Sequence, residues 1–219
     1  MDQIDFRSSA LRLLPGLSGL WLSAGVVVIA GLTPDYSHVS QFMSVLGAQG
    51  APFADWANYA VFGPAEAAML VFLVVLWAAL PKASAAIVTG LALLTLYACL
   101  LMAAAFLPCD AGCHAGVSGA SASHRTHMVI GTLAYPLALI GLLLLCLSLP
   151  GAGSLRLMGL LASVCGFGLF LTMLSVTDLQ GLTQRLLEAI IYVQTAVLGW
   201  RAASLRQASG SSETAHHGF

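Results

Sequence analysis

Histidine and acidic side chains near the ends of apolar stretches are the residues of this chain best suited to chemistry. His124 and His127 stand three positions apart, a spacing that places both imidazoles on one face of a helix. With a carboxylate from elsewhere, such as Asp110 or Glu66, they would form a set of metal ligands. The alternative is a pair of interfacial histidines at a helix start that binds no metal.

A metal at that place would permit one reaction, the hydrolysis of a lipid by zinc-bound water, whose pKa falls to about 7. The residues that would act as zinc ligands or acid–base groups are His38, Asp110, His124 and His127, with Ser37 or Ser40 assisting. We treat this zinc hydrolase as the alternative function. The preferred function is not enzymatic, and it needs no metal or other cofactor.

Polar side chains within the apolar stretches or at their borders form a second group of candidates, for binding a ligand. Ionisable groups at membrane depth are costly, and they usually face a cavity or a partner. The candidate binding residues are Asp35, Glu66, Asp178, Arg185, Glu188 and Tyr192. A competing interpretation is structural, because Arg185 and Glu188 lie three apart and can pair on one helix.

Two cysteines, Cys109 and Cys113, lie outside the apolar stretches, whereas the other three lie inside them. On the oxidising side of a membrane we expect a disulfide that closes a small glycine-containing loop. Metal ligation together with Asp110 and nearby histidines is a second interpretation. Covalent haem is a third, because Cys-x-x-x-Cys-His is one residue longer than the haem attachment motif.

The elements that position these residues follow from the composition, which is that of a membrane protein. Of 219 residues, 59% are hydrophobic and only 8% are charged, and the mean hydropathy is +0.92. Soluble domains carry about 25% charged residues, so a water-soluble fold is excluded. The net charge of −1 provides no basic surface, which argues against a nucleic-acid partner.

Six apolar stretches are long enough to cross a bilayer as helices, which takes about 20 residues each. Their unbroken apolar character lacks the alternation of a β-barrel. The sequence therefore predicts an all-α polytopic membrane protein, a six-helix transmembrane bundle that forms one domain over residues 1–206, followed by a disordered cytoplasmic tail at 207–219. The predicted spans are about 14–32, 62–80, 86–107, 128–149, 155–175 and 182–204.

The basic residues predict the orientation of this bundle. With an even number of spans, both termini share one side of the membrane. That side carries Arg7, Arg12, Lys82, Arg156, Arg201 and Arg206, and the other side carries Arg125 and Arg185. The positive-inside rule then places both termini in the cytoplasm and most candidate residues at the outer face.

The first outer loop contains a further predicted element. Between Asp35 and Gly47, the apolar residues Val39, Phe42 and Leu46 recur at helical spacing. This pattern predicts a short amphipathic helix that lies at the outer interface of the membrane and carries His38.

Five segments of the chain together resemble a family of membrane proteins. They are Asp35-Tyr-Ser-His-Val-Ser-Gln-Phe-Met-Ser-Val-Leu-Gly47, Ala54 to Tyr59, Phe106-Leu-Pro-Cys-Asp-Ala-Gly-Cys113, His124 to His127 and Gly181-Leu-Thr-Gln-Arg-Leu-Leu-Glu188. They are similar to the six-span bacterial and archaeal proteins of the DUF998 family, a domain of unknown function. The resemblance extends from about Leu14 to Arg201, and it implies a fold without an established activity.

The sequence thus leaves two functions in competition. The preferred one is an integral inner-membrane protein whose polar outer mouth binds a lipid headgroup, a small solute or a protein partner, a second copy of the chain included. The alternative is the zinc-dependent lipid hydrolase. A transporter or channel is disfavoured, because the inner half of the bundle holds almost no ionisable residue to line a continuous path.

Overall fold

Six long helices make up most of the protein in a computed structural model that describes residues 3–80, 84–149 and 153–216. The described residues contain no strand, so the predicted all-α class is confirmed. The six apolar stretches fall on the six helices. These are α1 (Gln3–Leu32), α2 (Gly63–Ala79), α3 (Ala85–Phe106), α4 (Ala122–Ser148), α5 (Gly153–Ser175) and α6 (Gln180–His216).

Five helical segments of the described chain are long and apolar enough to cross a membrane. They are Phe6–Leu32, Trp56–Ala79, Ala85–Phe106, Ala122–Ser148 and Gly153–Ser175. The last helix, α6, is not among them, because its polar and charged residues lower its hydropathy. Helices of this length and composition make the chain a multi-pass membrane protein.

Successive helices pack side by side, and glycines allow the closest approach. Gly90 of α3 faces Gly141 of α4, and a Cβ atom on either would lie 2.9 Å from the carbonyl oxygen of the other. Small residues at such crossings let helix backbones meet in a membrane. The first and last helices also pair. Gly19 of α1 contacts the ring of Tyr192, and Arg12 donates to the amide oxygen of Gln207 at 2.8 Å.

The two ends of the bundle differ in their connections. At one end, which we call the long-loop end, lie loop one (33–55), loop three (107–121) and the link between α5 and α6. The π-helix Trp56–Phe62 joins loop one to α2. Short connections join α2 to α3 and α4 to α5 at the opposite end. The candidate residues in these loops and in the adjoining helix ends therefore lie at the long-loop end.

The amphipathic helix predicted for loop one is absent as such. The structure has a 3-10 helix of five residues over Met43–Gly47, and Phe42 before it is extended, with φ −56° and ψ 150°. The backbone N–H of Met43 donates to the Gln184 side chain of α6 at 2.7 Å. This bond to another helix competes with a longer local helix, and the hydrophobic pattern alone did not reveal it.

The C-terminal part also differs from the prediction of a disordered tail from residue 207. Helix α6 continues to His216, with no proline to interrupt it. Residues 217–219 of the predicted tail lie outside the described residues.

Candidate functional site

A buried carboxyl group, Glu188 of α6, lies at the centre of a cluster of polar side chains. The hydroxyl of Tyr135 on α4 donates to its Oε1 atom at 2.9 Å. The hydroxyl of Tyr97 on α3 donates to its Oε2 atom at 3.0 Å. Both carboxyl oxygens of Glu188 are therefore hydrogen-bonded, as buried polar groups require, and three helices are joined at this point.

Gln184, one turn before Glu188, connects the cluster to loop one. Its Nε2 atom donates to the Tyr135 hydroxyl at 3.0 Å, and its Oε1 atom accepts the N–H of Met43 at 2.7 Å. The Tyr135 hydroxyl thus accepts one hydrogen bond and donates another. This chain of bonds fixes the position of loop one above the cluster.

A second buried carboxyl group, Glu66, lies in the first turn of α2. The Tyr192 hydroxyl donates to its Oε1 atom at 3.4 Å, and Ser18 of α1 donates to the Ala65 carbonyl at 2.7 Å. Only 4% of the Glu66 surface is exposed. Its Oε2 atom is buried and has no hydrogen-bond partner. An orphaned carboxyl oxygen is costly inside a membrane protein, so it marks a place where a donor is missing.

Both glutamates line one cleft of about 130 Å³ at the long-loop end. Most of its wall is apolar, including Leu22, Phe62, Leu101, Met128, Met173 and Leu174. Leu174 of α5 and Thr132 of α4 are exposed on the bundle surface, so the cleft reaches the side of the bundle between these two helices. The residues that line it include no lysine or arginine.

His127 also lines the cleft, close to the start of α4. Its Nδ1 atom lies 2.9 Å from the Leu107 carbonyl oxygen and 3.2 Å from that of Ala104. Because carbonyl oxygens accept, Nδ1 carries the ring proton, and Nε2 of the neutral ring is an acceptor. His127 therefore links α4 to the end of α3 while its other nitrogen stays available for a hydrogen bond.

His124 and Asp110 pin loop three to the start of α4. The Asp110 N–H donates to Nδ1 of His124 at 3.1 Å, and the Asp110 carboxylate accepts the Ser121 N–H at 2.8 Å. Ser121 in turn caps the helix by accepting the His124 N–H at 3.0 Å. The hydrogen bonds from Ser121 lower the pKa of Asp110 below its usual value. These contacts are structural.

The proposed metal ligands do not converge. Within the described residues, no group of three or more His, Cys, Asp or Glu side chains is arranged to hold a metal ion. His124 and His127 each use Nδ1 for a backbone group, and Glu66 lies with Tyr192. The sequence spacing placed these residues near one end of the bundle but not around one point.

The predicted disulfide between Cys109 and Cys113 is confirmed. It joins two buried residues whose Cα atoms lie 5.3 Å apart, and Gly112 between them has a φ of 77°, which favours glycine. Both sulfur atoms are used in the disulfide, so neither is free to bind a metal as a thiolate or to attach a haem covalently. The Gln49 N–H donates to the Cys109 carbonyl at 2.8 Å and ties loop three to loop one.

Arg185 fastens loop one to α6 and does not pair with Glu188. Its guanidinium donates to the carbonyl oxygens of Gln41 at 3.2 Å and Gly181 at 2.8 Å, and to the Tyr36 hydroxyl. Burial raises the pKa of Tyr36, and the Arg185 charge opposes that rise. The exposed His38 ring packs edge-on against Tyr36 at 5.4 Å.

Two other predicted binding residues are exposed and do not line the cleft: Asp35 lies in a turn, and Asp178 lies in the short 3-10 helix Thr177–Leu179. The predicted single mouth is therefore divided into three groups: the cleft, the loop-three contacts and the loop-one contacts. The sequence analysis missed Tyr97, Tyr135, Gln184 and Ser18. Polar groups are costly at membrane depth whether or not they carry a charge. These hydroxyl and amide groups could therefore have been predicted if uncharged polar residues had been considered together with the ionisable ones.

A comparison with protein families agrees with this membrane architecture. The family model described as DUF998, protein of unknown function, matches residues 17–201, which is most of the chain. The chain belongs to the DUF998 family. No curated protein and no solved structure shows significant similarity to this DUF998 protein. The resemblance seen in the sequence is thereby confirmed, and the site must be interpreted from its own chemistry.

Proposed function

We propose that this DUF998 protein binds a membrane amphiphile, with the polar headgroup at the Glu66–Glu188 cluster and the apolar chain along the cleft wall. One observation carries the proposal: an apolar cleft that reaches the side of the bundle ends at two buried carboxyl groups. A polar end at the base of an otherwise apolar cleft is the usual form of a small-molecule site. A lipid or a single-chain amphiphile has the matching shape.

The proposal includes six membrane spans, with α6 as the sixth. Its polar residues Glu188, Tyr192 and Gln194 are buried, whereas Leu186, Val193 and Trp200 are exposed. An apolar exposed face supports contact with lipid, since polar residues in spans usually face the bundle interior. Helix α6 also packs against α1, α5, α4 and α2.

We further propose that the long-loop end faces the outside of the cytoplasmic membrane. The distribution of basic residues supports cytoplasmic termini, and the Cys109–Cys113 disulfide is of the kind formed in an oxidising compartment. The cleft would then open within the outer leaflet. An amphiphile would enter sideways between α4 and α5, next to Thr132 and Leu174.

Photocrosslinking tests this function with a matched pair of variants. Gly131 lines the cleft, and a Cβ atom there meets nothing within 4 Å, so Gly131→Phe fills the cleft without a backbone clash. Gly168 of α5 is exposed and equally open but lies outside the cleft, so Gly168→Phe is the control.

The protein in nanodiscs is labelled with a photoreactive single-chain amphiphile, and the adducts are mapped by mass spectrometry. We expect adducts on cleft residues. Their yield should fall about tenfold in Gly131→Phe, which corresponds to a steric cost near 1.4 kcal/mol. The yield should be unchanged in Gly168→Phe. Equal labelling of both variants, or adducts spread evenly over the lipid-facing surface, would show that the cleft is not the site.

A further inference from the structure

We propose that the amphiphile carries a primary ammonium group, which the Glu66 carboxylate binds through its Oε2 atom. This inference rests on the proposed function and names the class of its ligand. An alkylamine, in which a protonated amine ends an apolar chain, is the simplest member of that class.

The two glutamates differ in how many of their carboxyl oxygens already accept a hydrogen bond. Glu188 has both oxygens occupied by the hydroxyls of Tyr97 and Tyr135, whereas Glu66 has one oxygen occupied by Tyr192 and one unpartnered. The unpartnered Oε2 belongs to a side chain that is 4% exposed and lines the cleft. As a carboxylate, Glu66 therefore needs a donor at this oxygen, and an ammonium group has three.

The charged residues that line the cleft favour a positively charged ligand. Two acidic residues line the cleft and no lysine or arginine does, while Arg185 is held by loop one. Phosphate or carboxylate headgroups would meet these carboxyl groups without a compensating cation. An ammonium group supplies the missing positive charge, so the cleft favours a cationic amphiphile over an anionic phospholipid.

The carboxyl groups of the empty cleft must hold a proton. The titratable groups around Glu66 are Glu188 and Tyr192 from α6, Tyr97 from α3, and Tyr135 and His127 from α4. Two carboxyl groups in one poorly solvated site do not both ionise. Glu188, whose two oxygens both accept from tyrosine hydroxyls, keeps the charge, so Glu66 holds a proton while the cleft is empty. When the ammonium group binds, Glu66 becomes ionised, an ammonium–carboxylate pair forms, and the displaced proton passes to solvent.

A headgroup series with one chain length tests this assignment. Dodecylamine, dodecanol and dodecyl phosphate each compete with the photoreactive amphiphile, and sodium ion is tested alone. We expect dodecylamine to compete about tenfold to a hundredfold better than dodecanol, because a hydrogen bond to a charged group is stronger than a neutral one. Glu66→Gln should abolish this preference, whereas Asp178→Asn, which removes an exposed carboxylate outside the cleft, should retain it.

Infrared difference spectroscopy supplies a readout that does not depend on crosslinking. Dodecylamine should remove a protonated-carboxyl C=O band that is absent in Glu66→Gln, and dodecanol should leave that band in place. Equal competition by amine and alcohol with cleft labelling intact would overturn the ammonium assignment and leave the proposed function standing. Better competition by dodecyl phosphate, or displacement by sodium alone, would also overturn it. No competition by any amphiphile would remove both proposals.

Discussion

Two buried glutamates in one cleft have different hydrogen-bonding states, and this difference determines their roles. Glu188 accepts from Tyr97 and Tyr135 and so holds three helices together. Glu66 keeps one buried oxygen without a partner. A saturated carboxyl group stabilises the bundle, whereas an unsaturated one makes an empty bundle less stable and becomes favourable when a donor arrives.

The structural role of Glu188 predicts the cost of losing its tyrosine partner. Tyr135→Phe removes one donor to Glu188 and one acceptor for Gln184, so we expect a loss of about 1–3 kcal/mol in the free energy of unfolding. Tyr59→Phe is the control, since Tyr59 is 58% exposed. Reversible unfolding in mixed detergent micelles measures both, and equal stability of the two variants would refute this role.

The histidines predict an outcome for metal content. Because no three His, Cys, Asp or Glu side chains of the described residues converge on one point, we expect the purified protein to carry far less than one equivalent of zinc. Elemental analysis of the unmutated protein and of His124→Ala and His127→Ala measures this. Stoichiometric zinc that disappears in both variants would instead revive the lipid hydrolase.

At the scale of elements, loop one is held on α6 by close backbone contact. A Cβ atom on Gly181 would lie 2.7 Å from the His38 carbonyl oxygen and 2.9 Å from the Gln41 nitrogen. One turn further along the helix, Arg185 donates to a backbone carbonyl oxygen of loop one, and the Gln184 side chain accepts a backbone N–H of the same loop. This close contact of loop one with α6 therefore requires a glycine at residue 181.

Gly181→Ala should displace loop one from α6. The added methyl group meets backbone atoms that cannot rotate away, so we expect a cost of about 1–3 kcal/mol. Gly131→Ala, which adds a methyl group in open space, is the control. Hydrogen exchange of loop-one amides should accelerate in the first variant alone, and unchanged exchange there would contradict the contact.

The contrast between loop one and the helices shows how much the sequence could predict. Long apolar runs identified the helices, because the cost of unpaired backbone in lipid leaves few other folds. The Cys109–Cys113 bridge followed from spacing and compartment. The contact between Met43 and Gln184, and the pairing of Tyr97 with Glu188, join residues far apart in the chain, and nothing in local pattern encodes such partners.

At the scale of the whole molecule, the orientation of the bundle in the membrane determines to which leaflet the cleft opens. A green fluorescent protein fused after Arg206 should fluoresce, since it folds in the cytoplasm. Alkaline phosphatase inserted after Gly116 in loop three should be active, since it needs an oxidising compartment. The reverse pattern of activities would place the cleft on the cytoplasmic side.

In the described part of the chain, the cleft opens at the side of the bundle between α4 and α5. The exposed surface of the bundle is largely apolar, as lipid contact requires, and its two buried carboxyl groups, Glu66 and Glu188, line the cleft next to loop one. The central claim is that this arrangement receives an amphiphile from the membrane. Everything proposed about the headgroup depends on that claim.

The most direct measurement is a cryo-electron microscopy map of the protein in nanodiscs that contain dodecylamine. The account predicts elongated density that enters between α4 and α5 near Leu174 and ends within hydrogen-bond distance of Glu66 Oε2. A cleft filled by the protein's own side chains, or one that holds only water while dodecylamine binds elsewhere, would contradict it.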